Sequence, residues 1–185
     1  MRYLSTLSLA LIVHVLLSIG ILMALACTAT PTPIPAPDAT YYYEKGIKHF
    51  NDLDEESAVV EFTKAIELNS NYTAAYARRG WAYRNLDQHQ LAIEDFDKVI
   101  GLGDAGAFIY ARKAHSIVSL GRVEEAIPDY TKAIEIVPYE AWGYINRSLA
   151  YRRMGNHVQA NADLARGCKL DSNLAYNDRR YTEYC

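Results

Sequence analysis

The sequence predicts an all-α chain in which four copies of one helical hairpin stack side by side as a solenoid. Three observations predict it. The segment AVVEFTKAIELN beginning at Ala58 returns at Ala92 as AIEDFDKVIGLG, at Ala126 as AIPDYTKAIEIV and at Ala160 as ANADLARGCKLD, 34 residues on each time. An unbroken period of that length means one supersecondary unit stacked on copies of itself. Within each copy the apolar residues follow a helical period. Ala58, Phe62 and Ala65 fall at i, i+4 and i+7 and share one face. Finally, turn formers recur at Asp52–Asp54, Asp87–Gln88, Gly121–Arg122 and Gly155–Asn156, and they split each copy into a first helix, A, and a second, B.

The chain has 185 residues, a formal net charge of −3, 50% apolar residues and 11% aromatic residues. These values suit one folded domain plus an export segment, and no Lys/Arg run offers the basic patch that nucleic acid requires. Residues 1–26 are read as a signal peptide, because Arg2 precedes a long apolar run that leads to small residues and Cys27. Ala24–Leu25–Ala26–Cys27 resembles a bacterial lipobox, with the usual Leu one place late, and the resemblance implies lipidation of Cys27. An uncleaved membrane anchor and an ordinary cleaved signal are the alternatives; all three put the repeats outside the cytoplasm. Residues 27–38 form a spacer with prolines at 31, 33, 35 and 37. Proline fixes φ and removes a donor, so this stretch is extended and reaches on the order of 34 Å.

The repeats follow at 39–72, 73–106, 107–140 and 141–174, with residues 175–185 as a short C-terminal capping helix. In this frame position 4 is Tyr42, Tyr76, Tyr110 and Tyr144, and position 8 is Gly46, Gly80, Ala114 and Ser148. Position 20 is always Ala, position 24 is Phe62, Phe96, Tyr130 and Leu164, and position 27 is Ala65, Val99, Ala133 and Gly167. The pattern resembles the tetratricopeptide repeat signature. Tyr stands at position 4 where the family prefers Trp, the terminal Pro survives only as Pro138, and the fourth repeat departs furthest. The resemblance implies a right-handed α-solenoid whose A helices line a concave groove. It says much less about function, since one fold carries many.

A charge pattern shares the period. Position 7 is basic (Lys45, Arg79, Lys113, Arg147) and position 23 is acidic (Glu61, Asp95, Asp129, Asp163). Each pair lies on the two arms of one hairpin, and a salt bridge from helix A to helix B is expected. Pro128 is expected early enough in its helix to cost little.

With Cys27 lipidated, Cys168 and Cys185 are left to pair in an oxidising compartment; the alternative is two unpaired thiols. No histidine forms HExxH, and no P-loop, GxSxG or GxGxxG occurs. No enzyme, metal site or cofactor is expected.

The remaining resource is surface. By the resemblance, positions 2, 5, 6, 9 and 12 tend to face the groove. The candidate binding residues are Tyr43, Arg78, Trp81, Arg84, Phe108, Arg112, His115, Trp142, Asn146 and Arg152. Aromatics beside arginines have the composition of binding hot spots, and Arg78 and Arg112 hold the same position in successive repeats, suited to one acidic segment. The alternative is aromatics packed between repeats and arginines merely solvated. The carboxylate clamp of chaperone-binding relatives is not reproduced. The expected function is a membrane-tethered, extracytoplasmic adaptor that binds a peptide or protein partner. A structural part of an envelope assembly, using the outer surface or the cap, is the second reading.

Overall fold

The computed structural model describes residues 36–171. The signal segment, Cys27, most of the proline-rich spacer, the last residues of the fourth repeat, the capping segment and Cys185 lie outside the described residues. Eight helices and no strand occur among the described residues. They are α1 (Ala39–Asn51), α2 (Glu55–Leu68), α3 (Thr73–Asn85), α4 (His89–Gly101), α5 (Ala107–Ser119), α6 (Val123–Ile136), α7 (Ala141–Arg153) and α8 (His157–Leu170). Odd-numbered helices are A arms and even-numbered ones are B arms. The A arms begin at Ala39, Thr73, Ala107 and Ala141, 34 residues apart. Each helix packs mainly on the one before and the one after it, and α1–α3 and α3–α5 also touch. This nearest-neighbour pattern is that of a solenoid.

The core is the B-helix stripe that periodicity marked. Ala58, Phe62, Ala65, Ala92, Phe96, Ala126, Ala133 and Ala160 have no solvent exposure, and Val99, Tyr130 and Leu164 have almost none. Small residues at position 8 of helix A make room for the ring at position 24 of helix B. A Cβ added to Gly46 would lie 2.6 Å from the Phe62 ring, and one added to Gly80 would lie 3.0 Å from that of Phe96.

The turn inside each hairpin uses a left-handed residue at position 15: Leu53 (φ 61°), Asp87 (φ 57°), Gly121 (φ 80°) and Gly155 (φ 77°). Only the last two are glycine, so the first two turns carry the Cβ penalty of that conformation. Asp38 and Asp54 cap α1 and α2, accepting the N–H groups of Tyr41 at 2.8 Å and Ser57 at 3.2 Å. Pro128 differs from expectation. It is the sixth residue of α6, past the first turn, so its missing N–H removes the helical donor of the Glu124 carbonyl. Both residues are exposed, and water reaches the freed carbonyl.

Candidate functional site

Two sets of cations with opposite fates define the surface. The first is tied into the scaffold. All four expected bridges form between the arms: Lys45–Glu61 at 2.9 Å, Arg79–Asp95 at 2.8 Å, Lys113–Asp129 at 3.3 Å and Arg147–Asp163 at 2.7 Å. Both arginine pairs are bidentate, the stronger geometry. The same cations also reach back into the preceding repeat. Arg79 donates to Thr63 Oγ1 at 3.0 Å, Arg147 donates to Thr131 Oγ1 at 2.9 Å, and Lys113 Nζ meets Asp97 at 2.7 Å. Thr63, Asp97 and Thr131 all occupy position 25, so one cation per repeat joins helix A to its own helix B and to the neighbouring hairpin. In the first repeat Lys64 shares Glu61 with Lys45 instead, at 3.0 Å. Burial alone would raise the Glu61 carboxyl, but the hydrogen bonds from Lys45 and Lys64 hold it below its usual value.

The second set lies on the A helices and is not neutralised. The guanidinium carbon of Arg112 on α5 sits 3.4 Å from the centre of the Trp81 ring on α3. That of Arg78 stands 5.5 Å from the same ring, and Phe50 meets Trp81 edge-on at 5.1 Å. Among the described residues no carboxylate forms an ion pair with Arg78, Arg84 or Arg112. Burial, then the charges of Arg84 and Arg78, push the Arg112 guanidinium down to about 10. His115, one turn along α5, is lowered by partial desolvation and by Arg84, His89 and Arg153, although the residue is exposed. A cationic corner with partial desolvation and no counter-ion favours an incoming anion.

Beside this corner Phe108 on α5 stacks on Trp142 on α7, with centroids 5.0 Å apart and planes 17° from parallel. Phe108 remains 62% exposed. A cavity of about 270 Å³ is lined by Arg84, Phe108, Ala111, Arg112, His115, Trp142 and Asn146. A second, of about 320 Å³, adjoins it through His115 and Asn146 and continues past Val118, Ser119, Tyr130, Leu149, Ala150 and Arg153. A third, of about 450 Å³, lies at the other end of α7 and shares Trp142 and Asn146.

The fold thus brings Arg84, Phe108, Arg112, His115, Trp142 and Asn146 around one cavity, with Arg78 and Trp81 joined to it through Arg112. Tyr43 is elsewhere. It packs on Phe62 at 5.8 Å and Tyr72 at 5.0 Å, where it seals the first hairpin against the second. Arg152 lines none of these three cavities and is engaged in an interaction of its own. Its neighbour Arg153 takes the lining place, as does Tyr130 from helix B. Position 13 was not among the groove positions read from the sequence, and a core tyrosine at position 24 gave no sign that it would also floor a cavity. Cys168 is disulfide-bonded; the other half of that bond lies outside the described residues. Among the described residues no cluster of His, Cys, Asp and Glu could hold a metal ion, and no helix is long and apolar enough to cross a membrane.

Comparison with known proteins agrees with this architecture. Residues 61–94 and 109–139 each match a tetratricopeptide repeat model. Over 52 residues the chain is 43% identical to an uncharacterized protein of Methanocaldococcus jannaschii, covering 28% of this chain and 60% of the relative, so it spans less than two thirds of that relative's length. Among solved structures it resembles MamA from Desulfovibrio magneticus RS-1, with a TM-score of 0.70 and 24% identity over 74% of this chain and 77% of that one. It resembles YrrB, described as a tetratricopeptide protein with an unusual peptide-binding site, with a TM-score of 0.68 and 21% identity over 75% and 72%. The first tetratricopeptide domain of Spaghetti (RPAP3), solved with the HSP90 peptide SRMEEVD, gives 0.61 and 22% over 64% and 94%. The described residues therefore form an all-α solenoid of the same fold as these structures, with two stretches that match tetratricopeptide repeat models.

Proposed function

We propose that this chain is an adaptor that captures an acidic peptide segment of a protein partner on the face formed by its A helices. The single observation that carries the reading is that Arg78 and Arg112 stand over Trp81, with Arg84 beside Arg112, and that no carboxylate among the described residues forms an ion pair with any of the three. Every position-7 cation is consumed by the scaffold, so charge left unpaired a few residues away is not a by-product of holding the fold. Tetratricopeptide proteins of the same architecture have been solved with peptide-binding sites, in one case with a glutamate-containing peptide bound. The lipobox-like Ala24–Leu25–Ala26–Cys27 and the proline-rich spacer support tethering to the outer side of a membrane.

The test is crosslinking and capture with the intact protein, wild type against the Arg78→Glu, Arg112→Glu double variant. The adaptor reading expects the partner to be lost while the helical fold and the membrane location persist. Retention of the partner by the charge-reversed protein, with loss only on changing the B-helix surface, would transfer the function to a structural role in an envelope assembly.

A further inference from the structure

The cavity of about 320 Å³ has a polar group on each of its sides. Helix α6 supplies Tyr130 from below, α5 supplies His115 and Ser119, and α7 supplies Asn146 and Arg153. Among the described residues none of these five side chains hydrogen-bonds or ion-pairs with another residue. For the four nearer the surface, water is a sufficient partner. Tyr130 differs, because it is only 3% exposed and buried hydroxyls are normally paired within the protein. Burial pushes its phenol up to about 12, so the group stays an O–H donor. Its packing does not require that hydroxyl. Position 24 is Phe62 and Phe96 in the first two repeats, both without exposure, and only the third repeat adds an oxygen to the ring.

The surrounding charge has one sign. Arg84, His89 and Arg153 act on His115, and Arg153 and Arg84 act on Tyr130. No carboxylate among the described residues forms an ion pair with Arg84 or Arg153. The ends of α5 and α7 on this side, Ser119 and Arg153, are C-terminal, and each contributes about half a negative charge. Two arginines outweigh them. The last-turn carbonyls of Ser116 and Ala150 are in any case taken by the N–H groups of Leu120 and Met154, both at 3.2 Å.

Donors that converge from a floor and two walls suit an anion whose oxygens point in several directions. A phosphate group offers at least three acceptor oxygens and close to two negative charges at neutral pH. A carboxylate offers two oxygens in one plane and a single charge. Arg153 can fork onto two phosphate oxygens, with the Tyr130 hydroxyl and the Asn146 amide free for others. The cavity lies at the low end of ligand-pocket volumes, which leaves space for a small group attached to the phosphate.

We infer that this recess binds a phosphate group, free or carried on a small ester, through Tyr130, Asn146 and Arg153, with Arg84 and His115 beside them. The site shares His115 and Asn146 with the neighbouring cavity, but it does not depend on the adaptor reading.

Isothermal titration calorimetry of the full chain in non-ionic detergent and phosphate-free buffer tests it, with inorganic phosphate, glycerol phosphate and acetate as probes. Saturable binding of one phosphate per chain is expected, with acetate at least tenfold weaker. Tyr130→Phe restores the residue of the first two repeats, so the fold survives, and is expected to weaken phosphate binding at least fivefold. Arg153→Gln, at an exposed position, is expected to weaken it at least tenfold. Glycerol phosphate binding tighter than inorganic phosphate identifies an esterified ligand, and the reverse order identifies free phosphate; both support the site. Absence of saturable binding, acetate binding as tightly as phosphate, or full binding retained in Tyr130→Phe overturns the inference. So does binding that is lost in Arg78→Gln and unaffected by Arg153→Gln, which would put the anion at Trp81. None of these outcomes touches the acidic-segment reading, which is tested by its own double variant.

Discussion

Arg112 lies over Trp81 with its guanidinium carbon 3.4 Å from the ring centre, joining α5 to α3 across the A-helix face. The contact places a cation on an aromatic platform instead of on a carboxylate. Cation–π attraction of about 1 kcal/mol or more holds Arg112 in place while its N–H groups stay open to a ligand. The charges of Arg84 and Arg78 act against that of Arg112. Relief of that repulsion gives effects of opposite sign. Arg84→Gln is expected to raise the thermal midpoint of the free protein and to weaken binding of Glu-containing peptides. Thermal denaturation with and without peptide checks both; a lowered midpoint in the free protein would show Arg84 to be a scaffold cation like Arg79.

The scaffold cations behave differently. Arg79 has a side-chain exposure of 16% and Asp95 one of 6%, so removing one partner strands the other in a poorly hydrated place. Arg79→Ala is expected to cost about 3 kcal/mol, and Arg79→Asp more. The swap Arg79→Asp, Asp95→Arg is expected to recover part of the loss, but not all, because Thr63 also depends on Arg79. Urea denaturation of the four proteins checks the coupling, and no recovery in the swap would remove the bridge as its cause. Lys45, half exposed in the first repeat, is expected to matter much less than Arg79.

Gly46 and Gly80 offer a graded test of packing. At Gly46 a methyl would press on the buried Phe62 ring at 2.6 Å, whereas at Gly80 the nearest ring carbon is 3.0 Å away. Alanine favours a helix by nearly 1 kcal/mol over glycine, and overpacking costs typically 1–3 kcal/mol. Gly46→Ala is therefore expected to destabilise and Gly80→Ala to be close to neutral. The reverse order would mean that Phe62 shifts more freely than its neighbours allow.

The two left-handed turn residues without glycine invite the opposite change. Leu53 has φ 61° and 83% exposure, so its side chain contributes little and its Cβ is strained. Leu53→Gly is expected to stabilise by roughly 1 kcal/mol. Gly121→Ala, at the equivalent place in the third hairpin, is expected to destabilise by a similar amount. Calorimetry of both variants checks the pair.

His115 sets the pH dependence. Its native value lies below the 6.5 of the unfolded chain, so the native state binds fewer protons. Its contribution to stability is intact above about 6.5 and is lost as pH falls through that value toward the lower native one. A ligand carboxylate between Arg84 and Arg112 offsets the neighbouring positive charge and favours protonated His115. Acidic-peptide affinity is therefore expected to strengthen as pH falls from 7.5 to 5.5, above the range where the peptide carboxylates themselves titrate. His89 also stands in this field, beside Asp87 at 3.6 Å, so His115→Gln and His89→Gln are compared. Only the first is expected to flatten the profile.

Repetition made the scaffold legible in the sequence. Ala58, Phe62 and Ala65 recur with equivalents in every copy, and the position-7 and position-23 charges could be paired before any geometry was known. What breaks the period was harder to read. Leu53 gives no local sign of a left-handed turn; only its equivalence to Gly121 and Gly155 does. That Arg112, Trp142 and Asn146 lie together was legible, because helix A periodicity fixes which residues share a face, and all three line one cavity. Tyr43 lies apart from that cavity, packed on Phe62 and Tyr72. Arg153 was missed because near the end of α7 a side chain one place off the stripe reaches the recess across the last turn. Thr63, Asp97 and Thr131 were missed because a pairwise reading of charge looks within a hairpin, whereas the third contact comes from the one before.

The central claim is that the unneutralised arginines around Trp81 receive a partner's carboxylates. The most direct measurement is a titration of the labelled protein with a Glu-Glu-containing peptide, followed by the NMR signals of the Trp81 indole N–H and the Arg112 Nε–H. The account predicts saturable shifts at both signals, weakened by salt and absent in Arg112→Gln. Unmoved Trp81 and Arg112 signals at saturating peptide, or shifts confined to the B helices, would contradict it.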